Sequence, residues 1–255
     1  MNQTQDFTKG VIWKQLLFFF FPILIGSFFQ QLYNTVDTII VGQAVGTSAL
    51  AAVGSTGNLT SLIVNFYVGL STGASVVIAQ YYGAQNNKKI HQAVHTSYSL
   101  AIVSGILMML FGLFFSYQCL DAIGTPHDIL NDATLYMQLY FLCMIPGAIY
   151  NIGAGILRAV GDSKRPLYYL IVCSIVNVVF DFIFVVIFHQ GIAGAAIATV
   201  IAQFVCAILV TIQLMRTNEV YKLTLSKMKF HLPVLKKIIM IGAPAGIQST
   251  MYSIS

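Results

Sequence analysis

The sequence predicts an all-α polytopic membrane protein: a six-transmembrane-helix bundle followed by the start of a seventh helix. Composition is the first reason. Hydrophobic residues make up 57% of the 255 and charged residues only 8%, against about 25% charged in a soluble domain. Charge spacing is the second. Residues 38–87, 90–120 and 133–157 carry no formal charge, and the 50 residues from Pro166 to Met215 carry one, Asp181. Crossing hydrocarbon takes about 20 apolar residues, so each neutral run holds one or two helices. The runs are continuous rather than alternating in pieces of about 10 residues, which argues against a β-barrel.

The spans follow in order. Leu16–Val41 is the first, with Pro22 near its start. It is too long for a signal-peptide core and no small-residue cleavage site follows it. Gly42–Ser48 is a loop. The second span, Val53–Gln80, holds Gly69-Leu-Ser-Thr-Gly73, a small-xxx-small pattern that suits close helix contact. Tyr81–His91 is a polar turn. Val94–Gln118 is the third span, and Asp121–Asp132 a loop with Gly124, Pro126 and His127. The fourth, Ala133–Leu157, is expected to break at Pro146-Gly147, and Arg158–Pro166 is the loop after it. The fifth, Leu167–Phe188, turns at His189-Gln190-Gly191 into the sixth, Ile192–Met215. Its opening, Gly191 to Thr199, is rich in small residues and reads as a tightly packed helix. Residues 1–215 thus form a six-helix unit, 216–237 a basic linker, and 238–255 the start of a further apolar segment.

Topology can be read from the cations. All 13 Lys and Arg fall on one side when six spans are threaded, and the loops after the first, third and fifth spans hold none. The positive-inside bias then puts the N-terminus and the 216–237 linker in the cytoplasm, with the plasma membrane as the expected location. Trp13, Tyr81, Tyr82, Tyr168 and Tyr169 fall at the same span ends, as an interfacial belt would. The net charge of +5 comes from these loops, so it reflects contact with anionic lipid heads rather than nucleic acid. The four cysteines, Cys119, Cys143, Cys173 and Cys206, show no CxxC or Cys/His spacing and read as packing residues. No HExxH, GxSxG or phosphate-cradling glycine loop is present. No organic cofactor is expected.

Carboxylates in apolar runs single out the functional residues. Placing Asp181 in lipid costs roughly 2.5–3.5 kcal/mol on insertion scales, so it needs a polar partner or water. Asn177 lies four residues earlier, on the same helix face. Asp37 stands in a similar setting in the first span. Asp181 lies eight residues before His189 and Thr199 eight after Gly191, so both sit about 12 Å below one hairpin. Asp37, five residues before Gly42, sits about 8 Å below its own loop.

A weak internal repeat is also visible. Lys14 and Pro22 recur as Lys236 and Pro244, at an offset of 222 residues. A six-span unit followed by the start of another fits a transporter built from two parallel halves.

Three stretches carry a resemblance to a known family. They are Gln30-Gln-Leu-Tyr-Asn-Thr-Val-Asp37-Thr-Ile-Ile-Val-Gly42, running on to Ala49-Leu-Ala-Ala-Val-Gly54; Leu157-Arg-Ala-Val-Gly161-Asp162-Ser-Lys-Arg-Pro166; and Asn177-Val-Val-Phe-Asp181. On these the chain resembles the N-terminal half of a multidrug and toxic compound extrusion (MATE) transporter, one lobe of a twelve-helix protein. The resemblance implies antiport, in which small, often cationic, amphipathic drug-like substrates leave while H+ or Na+ enters. It implies a cation-coupling site of Asp37, Asn177, Asp181 and Thr199. Asp37, Asn177 and Asp181 would be the ligands if the ion is Na+. Tyr136 or Tyr140 would match an additional polar contact. Pro22 and Pro146 are candidate hinges, with ordinary kinks as the alternative. The implied partners are the lipid bilayer, the substrates and a second lobe. A lipid-linked-sugar flippase of the same superfamily shares the architecture but matches these stretches less. An intramembrane aspartyl protease also uses two membrane aspartates. It needs Tyr-Asp and Gly-x-Gly-Asp contexts, whereas these are Val36-Asp37 and Phe180-Asp181.

Overall fold

The computed structural model describes residues 12–254. Lys9, one of the cations used for topology, lies outside them. The chain is a multi-pass membrane protein built from eight helices among the described residues. They are α1 (Ile12–Ala44), α2 (Thr47–Gly83), α3 (Asn87–Ala122), α4 (Leu130–Phe141), α5 (Met144–Ala159), α6 (Lys164–Asp181), α7 (Gly191–Arg216) and α8 (Leu232–Ile254). A π-helical segment, Phe182–Ile187, continues α6. Five of the predicted spans are single apolar helices, and α4 with α5 forms the sixth, bent by 46°.

That bend falls at Leu142–Cys143, before Pro146 rather than at Pro146-Gly147. A proline cannot donate to the carbonyl four residues back and its ring crowds it. For Pro146 that carbonyl belongs to Leu142, so the helix stops there and restarts at Met144. Pro146 then occupies the first turn of α5, where its missing N–H costs nothing. Pro22, by contrast, lies inside a continuous α1.

Small residues let the helices approach. Ser71 Oγ of α2 donates to the Asn151 carbonyl of α5 at 2.6 Å, and Ser75 Oγ to the Gly155 carbonyl at 2.9 Å. A Cβ on Gly155 would lie 2.5 Å from Ser71 Oγ. Gly69 and Gly73 of α2 meet Gly242 and Gly246 of α8 backbone to backbone: a Cβ on Gly69 would overlap the Gly246 Cα. The small-residue pattern in the second span is therefore a helix contact, and its partner is α8. Behind these contacts Ile78, Ile90, Phe141, Ile152, Ile156, Leu157 and Leu214 are fully buried. Phe18, Phe28, Leu107, Phe114, Ile175 and Phe188 are at least half exposed. Such a collar of large apolar side chains suits hydrocarbon rather than water.

Helix α8 starts at Leu232, inside the stretch read as linker. The Val234 and Leu235 amides both donate to the His231 carbonyl at 2.9 Å, and Pro233 sits in the first turn. The remaining connection is held to α3. His95, 1% exposed, bonds the Thr224 backbone through Nε2 at 3.1 Å, and the His231 amide donates to Thr96 Oγ1 at 3.2 Å. Tyr221 and Leu223 are buried beneath.

Candidate ion-coupling site

Helices α1, α6 and α7 pack together, and the predicted polar residues converge where they meet. Asn177 and Asp181 occupy successive turns of α6, and both are almost wholly buried, at 1% and 0% exposure. Asn177 Nδ2 donates to Thr199 Oγ1 of α7 at 3.4 Å, and Thr199 Oγ1 in turn donates to the Ala195 carbonyl at 3.1 Å. The Asp37 carboxyl of α1 neighbours that of Asp181 and interacts with it electrostatically. All four residues of the predicted cluster are thus brought together.

Its electrostatics are unusual. Asp37 Oδ1, both carboxylate oxygens of Asp181 and Asn177 Oδ1 are buried with no hydrogen-bond partner among the described residues. A buried acceptor without a donor costs about 1–3 kcal/mol, and more when charged. Two facing carboxylates cannot donate to each other while both are ionised, so a shared proton or a bound cation would satisfy them. The donor set is hard oxygen throughout, which suits H+ or an alkali cation rather than a soft metal. Among the described residues no group of three or more His, Cys, Asp or Glu side chains could hold a metal ion.

The cluster opens on one side. A cavity of about 1040 Å³ runs along α1, α2 and α5 and is lined by Asp37, while Asn177, Asp181 and Thr199 lie behind it. Asp37 is therefore the contact between cavity and cluster. Tyr136 and Tyr140, ring centroids 6.2 Å apart, line the same wall in the neighbourhood of Asp37. Tyr33 does so too and was missed in the sequence. Its position one turn before Asp37 on the same helix was the available signal. Pro22 also lines the cavity, far along α1 from Asp37, and Pro146 does not. The π-helical segment starts directly after Asp181, and the Phe188 amide donates to the Ile183 carbonyl, five residues back, at 2.9 Å. Such segments occur mostly as single-turn bulges inside α-helices and are frequent at functional sites.

Comparison with known proteins places the chain in a family. The MatE family model matches residues 22–183. The probable multidrug resistance protein YoeA of Bacillus subtilis is 28% identical over 99% of this chain and 56% of its own length. A crystal structure of MATE in complex with MaL6 superposes with a TM-score of 0.92 at 26% identity, over 100% of this chain and 56% of that one. The outward-facing conformation of a multidrug resistance MATE family transporter of the MOP superfamily gives 0.87 at 27% identity, over 94% and 53%. The chain spans about half the length of the relatives it matches.

Proposed function

Since the chain belongs to the MatE family, we propose that it forms one lobe of a secondary transporter that exports amphipathic drug-like compounds, often cationic, in exchange for H+ or Na+. The observation that carries this reading is the set of unpaired acceptor oxygens on Asp37, Asn177 and Asp181, placed where one carboxylate meets a large cavity. Loading one cation leaves a single negative charge shared by the two carboxylates and lets α1 pack against α6 and α7. Losing it restores a charge that calls for water or a cationic substrate. The coupling strength is the difference in cation affinity between the two helix arrangements. Tyr33, Tyr136 and Tyr140 supply hydroxyls beside Asp37 in either state. The second lobe closes the cavity from the opposite side, so transport needs both lobes.

The two-lobed protein in proteoliposomes tests this with ΔpH and ΔNa+ imposed separately. One of them should drive tetraphenylphosphonium against its own gradient, and collapsing that gradient should stop it. Equal flux with neither gradient would contradict coupling.

The site reading comes with an orientation: plasma membrane, with the N-terminus and the α7–α8 connection in the cytoplasm. His127 and Ser226 are both exposed and lie at opposite ends of the bundle. In intact cells an impermeant thiol reagent should label His127→Cys and reach Ser226→Cys only after permeabilisation. Labelling of Ser226→Cys in intact cells reverses the topology.

A further inference from the structure

Two charged side chains line the cavity, Asp37 and Arg158. They stand at opposite ends of it. Asp37 is seven residues from the end of α1, beside the α1–α2 turn. Arg158 is in the last turn of α5. The contacts Ser71–Asn151 and Ser75–Gly155 advance four residues at a time on both helices. That register brings Arg158 level with Ile78, near the far end of α2.

Arg158 has no carboxylate partner among the described residues. Asp162, the acid closest in sequence, is already engaged. Its Oδ2 pairs with Arg165 at 3.1 Å, and its Oδ1 accepts the Arg165 amide at 3.1 Å, capping α6. The Tyr150 hydroxyl, which also lines the cavity, is engaged too: it donates to the Pro166 carbonyl at 3.2 Å. A partly buried guanidinium with five N–H donors thus faces the cavity. Beside it the wall is largely apolar, with Pro22, Val76 and Leu167, and two hydroxyls, Ser75 and Ser163. A guanidinium at a span end that faces a cavity and has no carboxylate partner is open to an anionic ligand. The planar guanidinium fork matches the two oxygens of a carboxylate or phosphate.

We propose that Arg158 anchors the anionic head, a carboxylate or phosphate, of an amphipathic molecule whose apolar part lies along this end of the cavity. The inference rests on reading the cavity as the substrate chamber. It adds zwitterionic and anionic amphiphiles to the ligands, the positive part of a zwitterion being directed toward Asp37.

The test uses the two-lobed protein in dodecyl maltoside micelles, whose head carries neither phosphate nor carboxylate, and three probes: dansyl-aminoundecanoate, its methyl ester and tetraphenylphosphonium. Arg158→Gln should weaken binding of the free acid at least tenfold and leave the ester and tetraphenylphosphonium within twofold. Arg158→Lys should fall between. If Arg158→Gln does not fold, the wild type alone decides: it should prefer the acid to the ester at least tenfold. Adding phosphatidylglycerol distinguishes the source of the anion. If it competes with the acid in the wild type and not in Arg158→Gln, a lipid phosphate occupies the site; if it does not compete, the ligand is the soluble amphiphile. Equal losses for all three probes would assign Arg158 to a contact with the second lobe and overturn the proposal. So would an unchanged affinity for the acid, or no acid preference in the wild type. Failure of the transport reading looks different: tetraphenylphosphonium binds but no gradient drives it.

Discussion

Asp181→Asn in the two-lobed protein is expected to abolish gradient-driven efflux, a loss of about a hundredfold or more, with membrane insertion intact. Asparagine keeps the size of aspartate and removes its charge, so no helix needs to repack. What disappears is the ability to exchange a cation. With Asp181 fully buried and both its oxygens unpaired, a change of about 3 kcal/mol in cation affinity would suffice for that hundredfold. Asp37→Asn should do the same or slightly less, because Asp37 is partly exposed to the cavity. Asp162 is a poor control despite its place in a turn, being buried, ion-paired and the cap of α6. Exposed Asp128 serves instead, and Asp128→Asn should transport normally. Wild-type gradient-driven flux by Asp181→Asn would show that the cluster is structural.

Gly69→Val should be the most disruptive packing change. The residue meets Gly246 and Gly242 of α8 with no intervening side chain, and Gly73 does the same one turn on. Backbone faces backbone, so no flexible side chain can move aside. Overpacking costs about 1–3 kcal/mol where the surroundings can adjust, and here the helices must separate. Gly69→Val is expected to lower the unfolding midpoint in detergent by several degrees and to break disulfide cross-linking between Phe66→Cys and Gly246→Cys. Gly83→Ala, where a Cβ meets nothing within 4 Å, should change neither. Unaltered cross-linking in Gly69→Val would mean that α2 and α8 are not in contact.

Much of this architecture is legible in the sequence because lipid permits so little else. Long neutral runs must be helices, and a carboxylate among them must have a purpose. Asp181 and Asn177 could be paired from their spacing alone. Asp37 could be matched to them only by depth, and the nearness of the two carboxylates is a tertiary fact. The break at Leu142 was displaced from its expected place because a proline acts on the carbonyl four residues before it, not on itself. The π-helical turn after Asp181 leaves no trace in Phe-Ile-Phe-Val-Val-Ile, which has neither Pro nor Gly. Gly69 and Gly73 showed a contact without showing the partner, which lies more than 160 residues along the chain. The hold of His95 on the Thr224 backbone was likewise invisible, since a lone histidine at a span end has many uses.

The central claim is that substrate and cation compete through one carboxylate cluster. Its most direct measurement is cation release on drug binding, made on the purified two-lobed protein in weak buffer with a pH indicator and with 22Na+. Saturating tetraphenylphosphonium should expel about one H+ or one Na+ per wild-type protein, and none from Asp181→Asn. No release of either ion from the wild type, or equal release from the variant, would contradict the account.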